Sequence, residues 1–404
     1  MRTGDLILVV NAGSSSLKFS VFAVAADPAK PDELAEGQVE GFGRAPRMTT
    51  KVRGAAAATR DLPPSSVRDF DDAIPIAGEW LRQHFAEGQI AAVGHRVVHG
   101  GPKFSAPVLL DTTILAEIGR LVPLAPLHQP HSIDCIRAIT RWRADVPQVV
   151  CFDTAFHRTH NKLADLYALP LALYEAGVRR YGFHGTSYEY IASVLPAVAP
   201  EIAAGRVIVA HLGNGASVCA MRAGVSVDSS MGFSALDGLV MGTRPGQLDP
   251  GVLLYLIGQC HKSAAELEHL LYFESGLKGL SGGTSDMRAL LSSSEPNAQL
   301  AIDAFVLRAA KEIAALAATL GGLDGLVFTA GIGENSTEIR ARILESCRWL
   351  GVEVDPAANG RGAARISTPA SRVSAWIVPT HEDLMIARHV VGVIRGLGAP
   401  GRQA

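Results

Sequence analysis

Two stretches about 200 residues apart share one design, and no other feature constrains the fold of this chain as strongly. In the first, the apolar run 7–10 reads as a buried strand. The turn-forming residues Asn11, Ala12, Gly13, Ser14, Ser15 and Ser16 break it. Leu17, Phe19 and Val21 then alternate with Lys18 and Ser20, as in a half-buried second strand. The second stretch, 207–220, is again strand, turn and strand, with Gly213, Asn214 and Gly215 at its tip. Small side chains, hydroxyls and exposed N–H groups at such a tip suit phosphate oxygens. One such hairpin is equally an ordinary surface turn. Two copies imply duplicated domains, each with a phosphate cradle.

The length agrees, since 404 residues exceed one ordinary core and predict two domains. Hydrophobic residues at 48% and charged residues at 19% describe a globular chain. With a formal net charge of −2, nothing suggests a basic surface for nucleic acid or an anionic membrane. The five cysteines, Cys135, Cys151, Cys219, Cys260 and Cys347, are scattered and odd in number. That spacing argues against a disulfide framework or a thiolate zinc site and fits a reducing cytoplasm. The N-terminal apolar run ends at Asn11, too short for a signal core, and 252–257 is far short of a membrane span.

Along the chain, 27–69 reads as loops or short edge strands, and 71–85 has helical spacing with Ile74, Ala77, Trp80, Leu81 and Phe85 on one side. The stretch 90–101 reads as a strand with His95 and His99 on one face and Arg96 on the other. Arg96 before Gly100 and Gly101 suits an anion or a surface salt bridge. A Pro-punctuated loop carrying His128 and His131 leads into a helix over 132–142. Asp153 closes a buried strand at its C-terminal end, where ligands gather in α/β sheets, although a helix cap is an alternative there.

His184 lies between Gly182 and Gly185, ahead of a helix starting near Tyr188 that Thr186 or Ser187 would cap. Arg244 sits in a long glycine-rich segment, and loops of that length are usually functional. Helical patterns follow over 251–259 and 264–273. A second glycine-rich loop carries Asp286 and Arg288, and a long amphipathic helix covers 298–320. Residues 325–336 read as strand, glycine loop and a helix capped by Asn335 or Ser336, which turns backbone N–H groups toward an anion or nucleotide. Neither the dinucleotide nor the P-loop fingerprint occurs. Glu382 and Asp383 end a last short strand before a terminal helix, and they suit a divalent cation or that helix's N-terminus.

The segments VVNAGSSSLKFS, GHRVVHGG, APLHQPHS, FDTAFH, RYGFHGTS, HLGNGASV, DSSMGF, MGTR, TSDMR, FTAGIGENS and EDLMIAR, in this order, resemble the acetate kinase family over nearly the whole chain. The resemblance implies an α/β fold of two duplicated ribonuclease-H-like (actin-like ATPase) domains. Each would be a mixed sheet flanked by helices, with a nucleotide cleft between them. Residues 1–150 plus 380–404 would form the first domain, and 151–379 the second, with the adenosine site. It further implies a cytoplasmic homodimer that binds neither nucleic acid nor membrane. ATP/ADP would be co-substrate, with Mg²⁺ (or Mn²⁺ in its place) as cofactor.

By the same resemblance Asp153, His184 and Arg244 are catalytic, and Arg96 and His128 bind the acyl substrate. Lys18, His211, Leu212, Gly213, Asn214, Gly215, Asp286, Met287, Arg288, Gly331, Ile332, Gly333, Glu334 and Asn335 hold ATP. Asn11 and Glu382 hold the metal, and Val98, Leu127 and Pro245 are candidates for an acyl pocket.

The implied reaction is reversible in-line transfer of a phosphoryl group from ATP to acetate. Propionate or butyrate as acceptor is the alternative. An ATP-driven conformational switch of the heat-shock or actin type is a more distant one. Acetate, with a carboxyl pKa of roughly 4–5, arrives ionised and needs no general base. Catalysis then rests on positioning and charge neutralisation, and Asp153 would orient Mg²⁺ or its waters rather than move a proton. Three residues depart from the family pattern: Gln247 where an acid is usual, Pro245 where Ser is common and His381 where Asn is usual.

Overall fold

The computed structural model describes residues 1–27, 30–85 and 89–396. The chain forms two compact units, Met1–Ala155 with the C-terminal segment from His381, and Phe156–Thr380.

In the first unit β1 (Leu6–Gly13) pairs antiparallel with β2 (Ser16–Ala23). The sheet continues outward through β3 (Asp32–Glu40), β4 (Arg47–Val52) and β5 (Ala58–Asp61). On its other side β1 pairs parallel with β6 (Ile90–Val97). Then β7 (Val108–Leu109) edges β8 (Gln148–Phe152), which lies parallel to β6. The alternation along β1 divides its side chains between two cores. Leu6, Leu8 and Val10 pack with Ile74, Ala77 and Leu81 of the helix Phe70–His84 and Ile139 of the helix Gln129–Trp142. Ile7 and Val9 pack with Ile386 and Val390 of the helix Glu382–Arg395. A strand covered on both faces must read as a continuous apolar run, and 7–10 does.

The second unit repeats the plan. Here β9 (Arg206–Leu212) is antiparallel to β10 (Ala216–Arg222), which pairs with β11 (Val225–Ser229). On its other side β9 is parallel to β12 (Gly325–Thr329), and β12 to β13 (Ser374–Ile377). The order β11-β10-β9-β12-β13 matches β3-β2-β1-β6-β8 in order and strand direction. The helix Gly185–Val198 covers one face through Ile191 and Leu195, and the helix Pro296–Leu320 packs on β9, β10 and β11. The molecule is thus α/β with a duplicated, actin-like sheet.

Several local expectations need correction. Asn11, Ala12 and Gly13 continue β1, because pairing with β2 satisfies their backbone, and the turn is only Ser14 and Ser15. Residues 27–69 hold three strands, of which only β5 is short, and their polar composition reflects a largely solvated sheet face. Strand β6 stops at Val97, so His99 lies beyond the register that would set it beside His95. The helix expected near Tyr188 starts at Gly185, so Thr186 and Ser187 fall in its first turn, and His184 is its cap residue. Helix Gln129–Trp142 likewise begins three residues early, with Pro130 in its first turn, where a missing N–H costs nothing. The supposed loops at 276–281 and 330–335 are short helices, and Ser336 caps the helix Thr337–Ser346. The unit boundaries fall after Ala155 and after Thr380, so β8 lies whole within the first unit.

On β3, Gly37 stands opposite Phe19, and a Cβ there would run into the Phe19 ring, which also packs on Trp80. Gly37→Val should therefore destabilise the first unit by about 1–3 kcal/mol through overpacking. Denaturant unfolding followed by Trp80 fluorescence would read the lowered midpoint.

Candidate active site

Parallel pairing of β6 with β8 carries two charged side chains to one edge of the first sheet. Arg96 precedes the last residue of β6, and the Asp153 N–H, just past β8, donates to the Val97 carbonyl at 3.1 Å. The Arg96 guanidinium grips Asp153 fork on fork, Nε to Oδ1 at 2.9 Å and Nη2 to Oδ2 at 2.7 Å. Glu382 Oε2 lies 3.6 Å from the same Nε. Burial opposes the Arg96 charge, but Asp153 and then Glu382 outweigh it and hold the guanidinium above its ordinary value. Burial pushes the Glu382 carboxyl up, against the pull of Arg96. Asp383 is also pushed up by burial, and the Ser20 hydroxyl donates to its Oδ2 at 2.6 Å.

Asn11 and Lys18 are directly opposite in the β1–β2 register, and the Lys18 charge reaches Glu382. His128 stands at the cap position of the helix Gln129–Trp142. His381 caps the helix Glu382–Arg395, with Nδ1 accepting from the Leu384 N–H at 3.3 Å, and its Nε2 lies 3.2 Å from Glu33. The departure from Asn thus keeps a capping acceptor and adds a hydrogen-bond donor to Glu33. Val98 and Leu127 are half-buried in this unit.

In the second unit the hairpin tip 213–215 meets three side chains expected at the site, Arg244, His184 and His211. A Cβ on Gly215 would lie 2.7 Å from Arg244 Nη2 and 3.2 Å from His184 Nε2, so only glycine lets both tips approach. The His184 ring stacks on His211, with centroids 4.2 Å apart. Ser217 Oγ holds His184 Nδ1 at 2.8 Å, and Ser187 Oγ holds His211 Nδ1 at 2.8 Å. His184 itself adopts a left-handed backbone at φ 57°. Arg244 is half-buried, and its Nη1 donates to the Ala235 carbonyl at 2.7 Å. Burial draws its pKa below the ordinary guanidinium value. A half-buried cation held by a carbonyl, beside imidazoles, can bind an arriving anion.

Next to this tip is a pocket of about 750 Å³. Gly213, Asn214, Asp286, Met287, Arg288, Gly331, Ile332 and Asn335 line it, together with Ser285, Leu291 and residues 336–338. Gly333 and Glu334, expected at the same site, are not among its walls. Gly333 is buried, and Glu334 turns its carboxylate to the N–H groups of Ala330 (2.8 Å) and Thr380 (3.1 Å). His211 and Leu212 belong to β9 and are buried. Gln247 accepts from Arg308 Nη1 at 2.9 Å, while Pro245 lines two smaller pockets with Val240 and Leu236 among their walls.

Sequence reasoning missed Arg340. Its side chain is fully buried, and it donates to the carbonyls of Gly333 (3.0 Å) and Glu334 (2.8 Å) and to Asn359 Oδ1 (2.8 Å). It pins the C-terminal end of the helix Ala330–Asn335 that forms one pocket wall. An Arg within a helical pattern carries no local sign that its partners are carbonyls. The same holds for Ser187, Ser217 and Ser285.

The acetokinase family model matches residues 6–388. The acetate kinase of Nitrobacter hamburgensis is 54% identical over 393 residues, covering 96% of each chain. Among solved structures, a propionate kinase from Francisella tularensis superposes with a TM-score of 0.89 at 37% identity, covering 95% of this chain and 98% of the other. The acetate kinase of Porphyromonas gingivalis gives 0.86 at 35% identity, covering 96% of this chain and all of the other.

Just before Arg96, His95 is buried and hydrogen-bonded to Gln148 Oε1 at 2.7 Å, and burial pushes its pKa down from 6.5 to about 4. The unfolded chain binds a proton on this ring below 6.5, and the folded chain does not until about 4, so stability falls as pH drops through that window. His95→Gln should remove roughly 3 kcal/mol of the loss between pH 7 and pH 4. Urea unfolding of both proteins at the two pH values measures this.

Proposed function

The chain belongs to the acetokinase family, and from that premise we propose that it transfers a phosphoryl group reversibly between ATP and acetate, giving ADP and acetyl phosphate. It is a phosphotransferase with a carboxyl group as acceptor. The observation that carries the acceptor assignment is the 54% identical relative, an acetate kinase, which is nearer in sequence than the propionate kinase at 37%.

The pocket beside Asn214, Asp286 and Gly331 takes the nucleoside, and the tip 213–215 presents backbone N–H groups to phosphates. Arg244 and His184, converging on Gly215, stabilise the charge of the phosphoryl group in transit. Arg96 receives the acyl carboxylate or phosphate, and Asp153 holds its guanidinium in one orientation. Lys18 contacts nucleotide phosphates, and His128 serves the acyl substrate. Since acetate is already an anion, none of these residues needs to remove a proton.

Among the described residues no group of three or more His, Cys, Asp or Glu is arranged to hold a metal. The oxygen donors of Asn11 and Glu382 fit a hard cation that arrives on the nucleotide and takes few protein ligands, as Mg²⁺ does. When bound, Mg²⁺ supplies charge neutralisation to the phosphates.

We assign the protein to the cytoplasm as a homodimer. The cysteines are all free, and among the described residues no helix is long and apolar enough to cross a membrane. The helix Pro250–Gly258 exposes Val252, Leu254, Tyr255 and Ile257 and buries none of its residues, an apolar face that a second copy would cover.

An assay of ADP formation with acetate, propionate and butyrate tests the function. The highest kcat/KM is expected with acetate; preference for a longer acid would change the acceptor, and no acyl phosphate from any of them would refute the reading. Arg244→Ala should lower kcat by about 10²–10³-fold, with a small change in the KM for ATP. Leu254→Glu should shift sedimentation from dimer to monomer.

A further inference from the structure

A buried polar chain in the second unit leads from His160 to the peptide that carries His184, and the chemistry of its members sets its direction. The Phe183 carbonyl can only accept, so His157 Nε2, 2.9 Å away, carries a proton and donates. His157 is fully buried and is held neutral by that burial, so its Nδ1 is a lone pair. Ser226 Oγ, 2.9 Å from that Nδ1, must then donate its single proton to it. His160 Nε2 lies 2.9 Å from the same oxygen and therefore donates to Ser226. The chain ends there: the far nitrogen of His160 lies 3.4 Å from Asp165 Oδ1 without a hydrogen bond, and Arg158 Nη1 holds the other Asp165 oxygen at 3.2 Å. Cys219 Sγ, at 3.3 Å, completes the surroundings of Ser226.

The receiving peptide is held at successive points. Arg158 Nη2 donates to the carbonyls of Tyr181 (2.8 Å) and Arg180 (3.3 Å). Gly182 has φ +74° and lies flat on the imidazole, since a Cβ there would come within 2.6 Å of His157 Cγ and Cδ2. His184 follows at φ 57°, a conformation that a residue with a side chain rarely adopts and that the surroundings must enforce.

We propose that His157 is a positioning residue for His184: through the one-way chain His160, Ser226 and His157, its Nε2–H pins the Phe183 carbonyl and keeps His184 left-handed beside Gly215. This rests on the role assigned above to His184. His157 touches no reacting atom. Its contribution is to deny the loop the extended backbone that would swing the imidazole of His184 away from Ser217 and His211.

The test compares His157→Leu, His157→Gln (whose amide can donate to Phe183) and Ser226→Ala in the full-length protein. His157→Leu should lower kcat for acetyl phosphate formation by about 10²-fold, as misplacement of a catalytic group does. KM for ATP and acetate should stay within about twofold, the signature of an interaction lost only in the transition state. His157→Gln should recover most of the loss, and Ser226→Ala should show a smaller one. A folded His157→Leu with unaltered kcat, a loss confined to KM, or a Gln variant no better than Leu would overturn the proposal.

Imidazole ¹⁵N spectra give a readout that is independent of activity. The wild type should show His157 as the neutral Nε2–H tautomer. His184 signals should move in His157→Leu and return in His157→Gln. An Nδ1–H or doubly protonated His157 would overturn the chain of donors. Wild-type protein with the expected spectra but no acyl kinase activity would refute the proposed function and leave the clamp standing. If His157→Leu does not fold, Ser226→Ala decides: mixed His157 tautomers with reduced kcat support the proposal, and wild-type values for both refute it.

Discussion

Each sheet is built on one strand that is antiparallel to its neighbour on one side and parallel on the other. For β1 the neighbours are β2 and β6, and for β9 they are β10 and β12. The antiparallel side makes a tight hairpin whose tip lies at the C-terminal edge of the central strand. The parallel side brings the C-terminal ends of further strands to that same edge. Arg96 and Asp153 meet because β6 and β8 end together. The tip 213–215 and residues 330–335 share a pocket edge because β9 and β12 do. The proposed site residues collect at these edges, where backbone pairing ends and leaves side chains and N–H groups for other uses.

The two units handle buried charge differently. In the first, Arg96 is neutralised within the protein by Asp153 and Glu382, so its burial is largely offset. In the second, Arg244 is half-buried against a carbonyl and its charge is disfavoured by desolvation. A cation kept in that state costs stability until an anion arrives. Glu382 and Asp383 bear a similar cost with the opposite sign. Such sites are where activity and stability compete.

The strands and long helices were legible because burial leaves a period in the sequence. The run 7–10, the spacing Ile74, Ala77, Leu81 and the pattern of 298–320 each report the face they bury. Strands β3 and β4 were not legible, since a sheet face left to solvent keeps polar residues and loses the alternation that marks a strand. The short helices at 276–281 and 330–335 were read as loops because glycine content outweighs any apolar period over six residues. Tertiary packing, not propensity, stabilises helices so short.

Read alone, the amino-acid sequence determined the duplication, the family and the order of the charged residues proposed for the chemistry, because those are local properties of composition and order. Only the tertiary structure decided which groups hold them. Arg96 binds Asp153 across 57 residues, Arg340 closes on Gly333 and Asn359, and His157 reaches Phe183 through 26 residues of chain. Hydrogen-bond partners are chosen by distance and direction in space, and neither is written in the spacing of a linear chain. The second hairpin shows the division well. Its glycines were visible at once, but the need for Gly215 appeared only when Arg244 and His184 were found against it.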